Sequence, residues 1–392
     1  MSTMEQLAAS IAATAADYRK GELGPFTAEH VTQWAAQFDK KDRPPLLAEM
    51  DHVLKKTYFS EAAVTDFLLS LAKEPKLAGN TPAAFWKGAG VLDIQLGGNS
   101  QKEMLERFET VLKQQFGMGL EDCKATSGNF VYLDDAIFTG NRVRRDLEPW
   151  INNTAPHKAT VHIIVNALHA GSYYAAQQVD KAAKAAGKDI TLTWWRAKSV
   201  ENRKFYRNQS EVLWPSEIPD GGPVAAYAKT LSDAGYPPEK RAKGGTPQDS
   251  VFSDEEGRAL IERVFLESGV RIRSICPYLK ESARPLGFSL LKTLGFGATV
   301  VTYRNCPNNC PLALGDAMFW GGFSWNSGNE FVMLRPTIGR KSVLSTFLIF
   351  CFSNVLSGLL FIHPPLQKRR SLTLIGVPHA IRYKKICSML PW

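Results

Sequence analysis

The feature that most restricts this chain is the run FVYLDDAIFTGNRV at residues 130–143. Four apolar residues, Phe130, Val131, Tyr132 and Leu133, fit a buried strand, and the adjacent carboxylates of Asp134 and Asp135 fall at its carboxyl end. A Thr139-Gly140-Asn141 turn then opens directly into helical periodicity. Such a turn gathers the backbone N–H groups of residues 138–142 around one point at a helix N-terminus, where unpaired donors and the helix dipole both favour an anion. Gly140 permits a positive φ or close backbone approach, and the Thr139 hydroxyl can donate to a phosphate oxygen. The two carboxylates are acceptors suited to neighbouring sugar hydroxyls, directly or through Mg. An acidic strand end before a capped helix also occurs in α/β proteins without such a ligand, so the run needs a second loop beside it.

A second loop begins 37 residues upstream of Asp134, where GVLDIQLGGNSQKEM places a strand, then Gly97-Gly98-Asn99-Ser100, then a helix. Two glycines followed by short polar residues let backbone amides face an anion, with Ser100 expected to cap the helix and Lys102 to add charge. Alone this is an ordinary turn signal.

The rest of the chain supports an α/β class. Residues 1–79 read as helical: Leu7, Ile11 and Ala15 share a face, as do Val31, Trp34, Ala35 and Phe38 after a Thr27 N-cap. A third helix is expected over 46–56, and a fourth from a Ser60 N-cap through Val64, Phe67, Leu68 and Leu71 until Pro75. From residue 80 short apolar runs alternate with helical stretches: strands over 91–96, 130–133, 160–168, 190–195 and 297–303, helices over 101–116, 143–151 and 173–186. Crossovers between such units build a mainly parallel sheet with its ligand loops at the carboxyl ends of the strands. Residues 199–247, rich in Pro, Gly and Lys, read as an excursion over the sheet edge, and helical pattern resumes over 253–268 and near 285–294.

The residues of the two loops resemble those of type I phosphoribosyltransferases, in which apolar residues precede an acidic pair and a Thr-Gly phosphate loop. The resemblance implies that Asp134 and Asp135 orient the ribose of phosphoribosyl pyrophosphate (PRPP) and serve Mg, and that Thr139, Gly140, Asn141 and Arg142 bind its 5'-phosphate. Gly97, Gly98, Asn99 and Ser100 match the pyrophosphate loop. Arg142 departs from the family, standing where Thr or Ser is usual, which opens the reading of a silent PRPP- or nucleotide-sensing module beside that of a transferase. Beyond the loops the chain is similar to the phosphoribosyltransferase-like proteins of bacterial conflict systems, through QWAAQFDKKDRPPLLAEMDHVL, Glu201-Asn202-Arg203, SEVLWPSEIP and RNCPNNCPLAL. That resemblance covers 27 to about 314 and implies a defence effector with protein partners from the same system. The acceptor that attacks PRPP is not legible in these residues. The chain divides on this reading into a helical segment (1–79), an α/β domain (80–314) and an atypical tail (315–392).

Composition excludes several alternatives. The formal charge of +9 comes from the tail: no Asp or Glu follows Glu330, while nine basic residues do, leaving 1–330 balanced at 38 against 38. There is no direct nucleic-acid signal in such a body. The N-terminus lacks the apolar core of a secretory signal, so a cytoplasmic location with six reduced cysteines is expected. Cys306 and Cys310 in NCPNNCP lack a second ligand pair at zinc spacing and read as a tight turn. His169 near the ligand crevice reads as a structural histidine before a substrate contact, and Trp194 and Trp195 as sheet aromatics. Residues 343–362 form a charge-free apolar run of 20 between basic flanks, long enough for a membrane helix. The loss of acidic residues and of α/β pattern favours a C-terminus altered by a frameshift or insertion over an anchor, and membrane association is expected only through that run.

Overall fold

The computed structural model describes residues 2–276, 278–315, 318, 323–325 and 331–333. Residues 343–362, expected as an anchor or an altered tail, lie outside them. Among the described residues no helix is long and apolar enough to cross a membrane.

The first helices are α1 (Met4–Thr14), α2 (Ala28–Ala35) and α3 (Arg43–Thr57), followed by a two-residue strand β1 (Tyr58–Phe59) and α4 (Glu61–Ala72). Thr27 caps α2 by accepting from His30 N–H, and Ser60 caps α4 by accepting from Ala63 N–H at 3.1 Å, as their sequence positions predict. Pro75 ends α4 and also starts a new turn of helix, α5 (Pro75–Ala78), where its missing N–H has no consequence. After α6 (Pro82–Lys87) the chain enters the central sheet.

That sheet has four strands in the order β2 (Ala89–Val91), β3 (Gly128–Ile137), β4 (Lys158–His169) and β5 (Asp189–Val200), all parallel. Between them run α7 (Ser100–Phe116), α8 (Asn141–Asn153) and α9 (Tyr173–Ala185). Alternation along β3 serves two cores at once. Val131 and Leu133 pack with Leu68, Met104 and Phe108 of α4 and α7. Phe130 and Tyr132 pack with Val143, Leu147 and Val179 of α8 and α9. This is the α/β class with a mainly parallel sheet that the sequence predicts.

The later chain forms α10 (Gly222–Asp233) and α11 (Glu255–Ile275), then short strands β6 (Ala283–Arg284), β7 (Gly287–Phe288) and β8 (Val301–Thr302). Here three expectations are corrected. Residues 285–294 are not helical: their leucines suggest a helical face, yet Leu290 and Leu291 are exposed, and Gly287 at φ +103° lies against the Asn309 carbonyl. The strand expected at 297–303 shrinks to β8 and pairs in parallel with β1, outside the central sheet. The strand expected at 91–96 ends at Val91, because side chains intercept the later amides: Gln101 Oε1 accepts from Ile94 and Gln95, and Asp146 Oδ1 from Leu96.

The helices before β1 bury their apolar stripe against the segments after residue 213. Ile11, Trp34, Phe38, Leu46 and Met50 share one core with Ile261, Phe265, Leu286 and Leu314, and the Trp34 indole donates to the Ala313 carbonyl at 2.8 Å.

Candidate functional site

The carboxyl end of β2 pairs with the middle of β3, Val91 opposite Val131, and each strand leads through a glycine loop into a helix whose N-cap residue makes no side-chain cap. Gly140 is the N-cap of α8 at φ +74°, a backbone conformation that side-chain-bearing residues rarely adopt. A Cβ there would lie 2.7 Å from Ala175 Cβ and 2.9 Å from the Ser172 carbonyl, so glycine is also required for space. Thr139 and Asn141 are exposed on the loop, with the Thr139 hydroxyl 3.4 Å from the Asn141 amide. Gly98, at φ +87°, gives the upstream loop its turn.

Arg142 joins the two loops. Its Nη1 donates to the Gly97 carbonyl, and its guanidinium faces Gly98. Arg142 and the Gly97-Gly98 backbone thus lie together at the start of α8, an arrangement suited to an anion, while the Gln101 amide of α7 is taken by Gln95 Oε1 at 3.2 Å. Two residues not anticipated from the sequence hold the upstream loop in place. Gln101, fully buried, accepts from the amides of Ile94 and Gln95, and Asp146, also buried, accepts from Leu96 N–H at 3.1 Å and from the Tyr132 hydroxyl at 2.8 Å. Asp146 lies one helical turn beyond Arg142, a spacing that would suggest an ion pair between the two.

Both aspartates lie within β3, upstream of the turn. Asp134 is 2% exposed, and its Oδ1 accepts from the Asp135 amide at 2.9 Å. Burial and the neighbouring Asp135 charge push its carboxyl up to about 7, against the lowering effect of a hydrogen bond from Ser100. Ser100 therefore does not cap α7: its hydroxyl accepts from Gln95 Nε2 at 2.8 Å and serves Asp134. Asp135 Oδ1 accepts from the Ala136 amide at 2.7 Å, and its Oδ2 lies 2.6 Å from Nη1 of Arg304. Arg304 also meets Glu103 of α7 through Nε. Burial works against the charge on Arg304, but Glu103 and Asp135 outweigh it and raise its pKa. Only its place in the RNCPNNCPLAL run could have signalled Arg304 in advance.

Other sequence candidates fall outside this cluster. His169 is fully buried, its Nδ1 2.9 Å from the Ile137 carbonyl and its ring between Phe138 and Phe296, which is a structural role. Trp195 donates toward His162 and Thr193, and Trp194 packs edge-on against Tyr173, as sheet aromatics do. Cys306 and Cys310 are buried around a turn in which the Cys310 amide bonds the Pro307 carbonyl, and no group of three metal-ligating side chains occurs among the described residues. The open groove between α9 and β5, lined by Tyr173, Asp180, Lys184, Lys188, Thr191 and Trp194, includes none of the loop residues.

A parallel sheet whose carboxyl ends carry two amide-rich loops above an acidic pair defines a phosphoribosyltransferase-like α/β protein. A family model described as PRTase-CE matches residues 31–326, three quarters of the chain, and the chain belongs to this family of phosphoribosyltransferase-like conflict-system effectors. No curated protein and no solved structure matches it.

Proposed function

We propose that the chain binds PRPP across the two loops and transfers its phosphoribosyl group to an acceptor, as an effector of a bacterial defence system. The observation that carries this reading is the Arg142 bridge, which holds the Gly97-Gly98 loop against the start of α8 beside Asp134. The amides and hydroxyl of the Thr139 loop hold the 5'-phosphate, Arg142 and the Gly97–Ser100 loop the diphosphate, and Asp134 orients the ribose hydroxyls. In the reaction the C1–O bond to the diphosphate breaks, the acceptor's lone pair forms the new bond at C1, and pyrophosphate leaves with the bond electrons. The loop amides and Arg142 stabilise charge growing on that leaving group, and Asp134 and Asp135 stabilise the positive character of the ribose.

Mg fits this site in a limited way. It usually binds through one or two carboxylates plus substrate phosphates. Asp134 offers one carboxylate, whereas Asp135 is engaged by Arg304, and no group of three metal-ligating side chains occurs among the described residues. Mg bound there supplies charge neutralisation of the diphosphate.

The test is calorimetric binding of PRPP with Mg to the wild type and to Asp134→Asn and Asp135→Asn, together with pyrophosphate release over a panel of bases and amines. The transferase reading expects binding that both variants weaken, and release with at least one acceptor. A second reading, a PRPP- or nucleotide-sensing module without turnover, is favoured by Arg142 in place of a small hydroxyl residue. Tight binding without release across the panel would select it. Absence of PRPP binding by the wild type would overturn both.

A further inference from the structure

Asp135 already holds a cation. Its Oδ2 is 2.6 Å from Arg304 Nη1, and Glu103 takes Nε of the same guanidinium, so one planar group is fixed between two carboxylates. The side chains of Arg304 and Asp135 are only 12% and 14% exposed, which keeps water from weakening their attraction. Nor is this a wandering surface arginine, because the backbone beside it is tied down. The Tyr303 amide donates to the Phe59 carbonyl at 2.8 Å, the Arg19 amide to the Tyr303 carbonyl at 2.6 Å, and β8 pairs with β1. Tyr303 also packs under Arg107, whose partner Glu61 opens α4. The N-terminal helices thereby deliver Arg304 to the sheet.

We infer that Arg304 is the resident counter-cation of Asp135 and Glu103, a positioning residue that keeps a free divalent ion off both. The inference rests on the ribose-phosphate reading only for its consequence, that any divalent ion enters with the diphosphate of the ligand. Removing the guanidinium leaves Asp135 and Glu103 facing the place it held, two oxygen donors of the kind Mg and Mn take. Arg304 also fixes the Asp135 carboxylate in one orientation, which an ion shared with a mobile ligand would not do.

The experiment titrates Mn2+ into the full chain without any phosphate ligand, following free Mn2+ by electron paramagnetic resonance. The wild type is expected to take up no ion. Arg304→Gln is expected to take up one, at least about tenfold more tightly than any wild-type uptake, and to lose it again when combined with Asp135→Asn. Arg304→Lys keeps a cation in place and is expected to behave as the wild type. A purely structural arginine predicts lower stability of Arg304→Gln with no gain of Mn2+. Two results overturn the inference: one ion taken up by the wild type and abolished by Asp135→Asn, or no uptake by Arg304→Gln with native circular dichroism. Should Arg304→Gln not fold, Arg304→Met takes its place and is read by the same two outcomes. Failure of the wild type to bind PRPP would strike the proposed function and leave these ion-only results standing.

Discussion

At the scale of single residues, the site depends on positions where one atom more does not fit. Gly140 is the strictest: φ +74° is strained for any side chain, and a Cβ would press on Ala175 and on the Ser172 carbonyl together. Relief requires the start of α9 to move away from the loop, taking the first-turn amides of α8 out of alignment. Gly140→Ala is therefore expected to lose roughly 1–3 kcal/mol of stability and to bind PRPP at least about tenfold more weakly, since misplaced donors forfeit charge-assisted hydrogen bonds. Urea unfolding and calorimetry measure the two effects separately, and binding at wild-type strength would remove the loop from the proposed site. Gly97 differs, because nothing lies within 4 Å of a Cβ placed there, so Gly97→Ala is expected to keep the stability that Gly140→Ala loses.

At the scale of elements, what positions the loops is a set of buried polar contacts across elements. One lies away from the site, where Glu262 of α11 sits 1% exposed between Arg241 and Arg258, both with fully buried side chains. Arg258 continues to the Asn208 carbonyl and Arg241 to Glu255, so the excursion after β5 is pinned to α11 by this network. Removing one partner from a buried ion cluster leaves unpaired charge, and Glu262→Gln is expected to destabilise by about 3–5 kcal/mol. Urea midpoints measure this, and a change under about 1 kcal/mol would show that the pins are dispensable. Such contacts explain which parts of the fold the sequence disclosed. The run through Asp134, Asp135 and Gly140 was legible because strand, turn and helix signals are local, and so were the Thr27 and Ser60 caps. Arg304 was not, since its distance of 169 residues from Asp135 leaves no periodicity linking them. The end of the strand at Val91 was hidden for a similar reason: the donors are claimed by Gln101 and Asp146 side chains, which no hydrophobic pattern records.

At the scale of the whole molecule, stability against pH depends on buried groups that oppose one another. Burial pushes the imidazoles of His162 and His169 down to about 4, so both stay neutral in the fold over a range where the unfolded chain takes up protons. Their contribution is fully present above about 6.5, the ordinary value, and is lost as the pH falls from there toward 4. Burial raises the carboxyls of Asp134, Glu49 and Glu262, which act in the opposite sense and disfavour folding as the pH rises. A single stability profile mixes the two, so the histidine part must be read as a difference. His162 suits this because its roles are fixed by its neighbours: Nε2 is 3.0 Å from Asn129 Oδ1, and Nδ1 meets Thr193 Oγ1 and receives the Trp195 indole N–H. A proton on Nδ1 would turn that acceptor into a donor facing the indole N–H. His162→Gln removes the titration, and the stability advantage of the wild type over this variant is expected to shrink by up to about 1.4 kcal/mol per pH unit between 6.5 and 4. Urea unfolding of both proteins at pH 7.5, 5.5 and 4.5 measures it. An advantage that stays constant across the three would mean that His162 takes up its proton in the fold as readily as in the unfolded chain, and that burial does not hold it neutral.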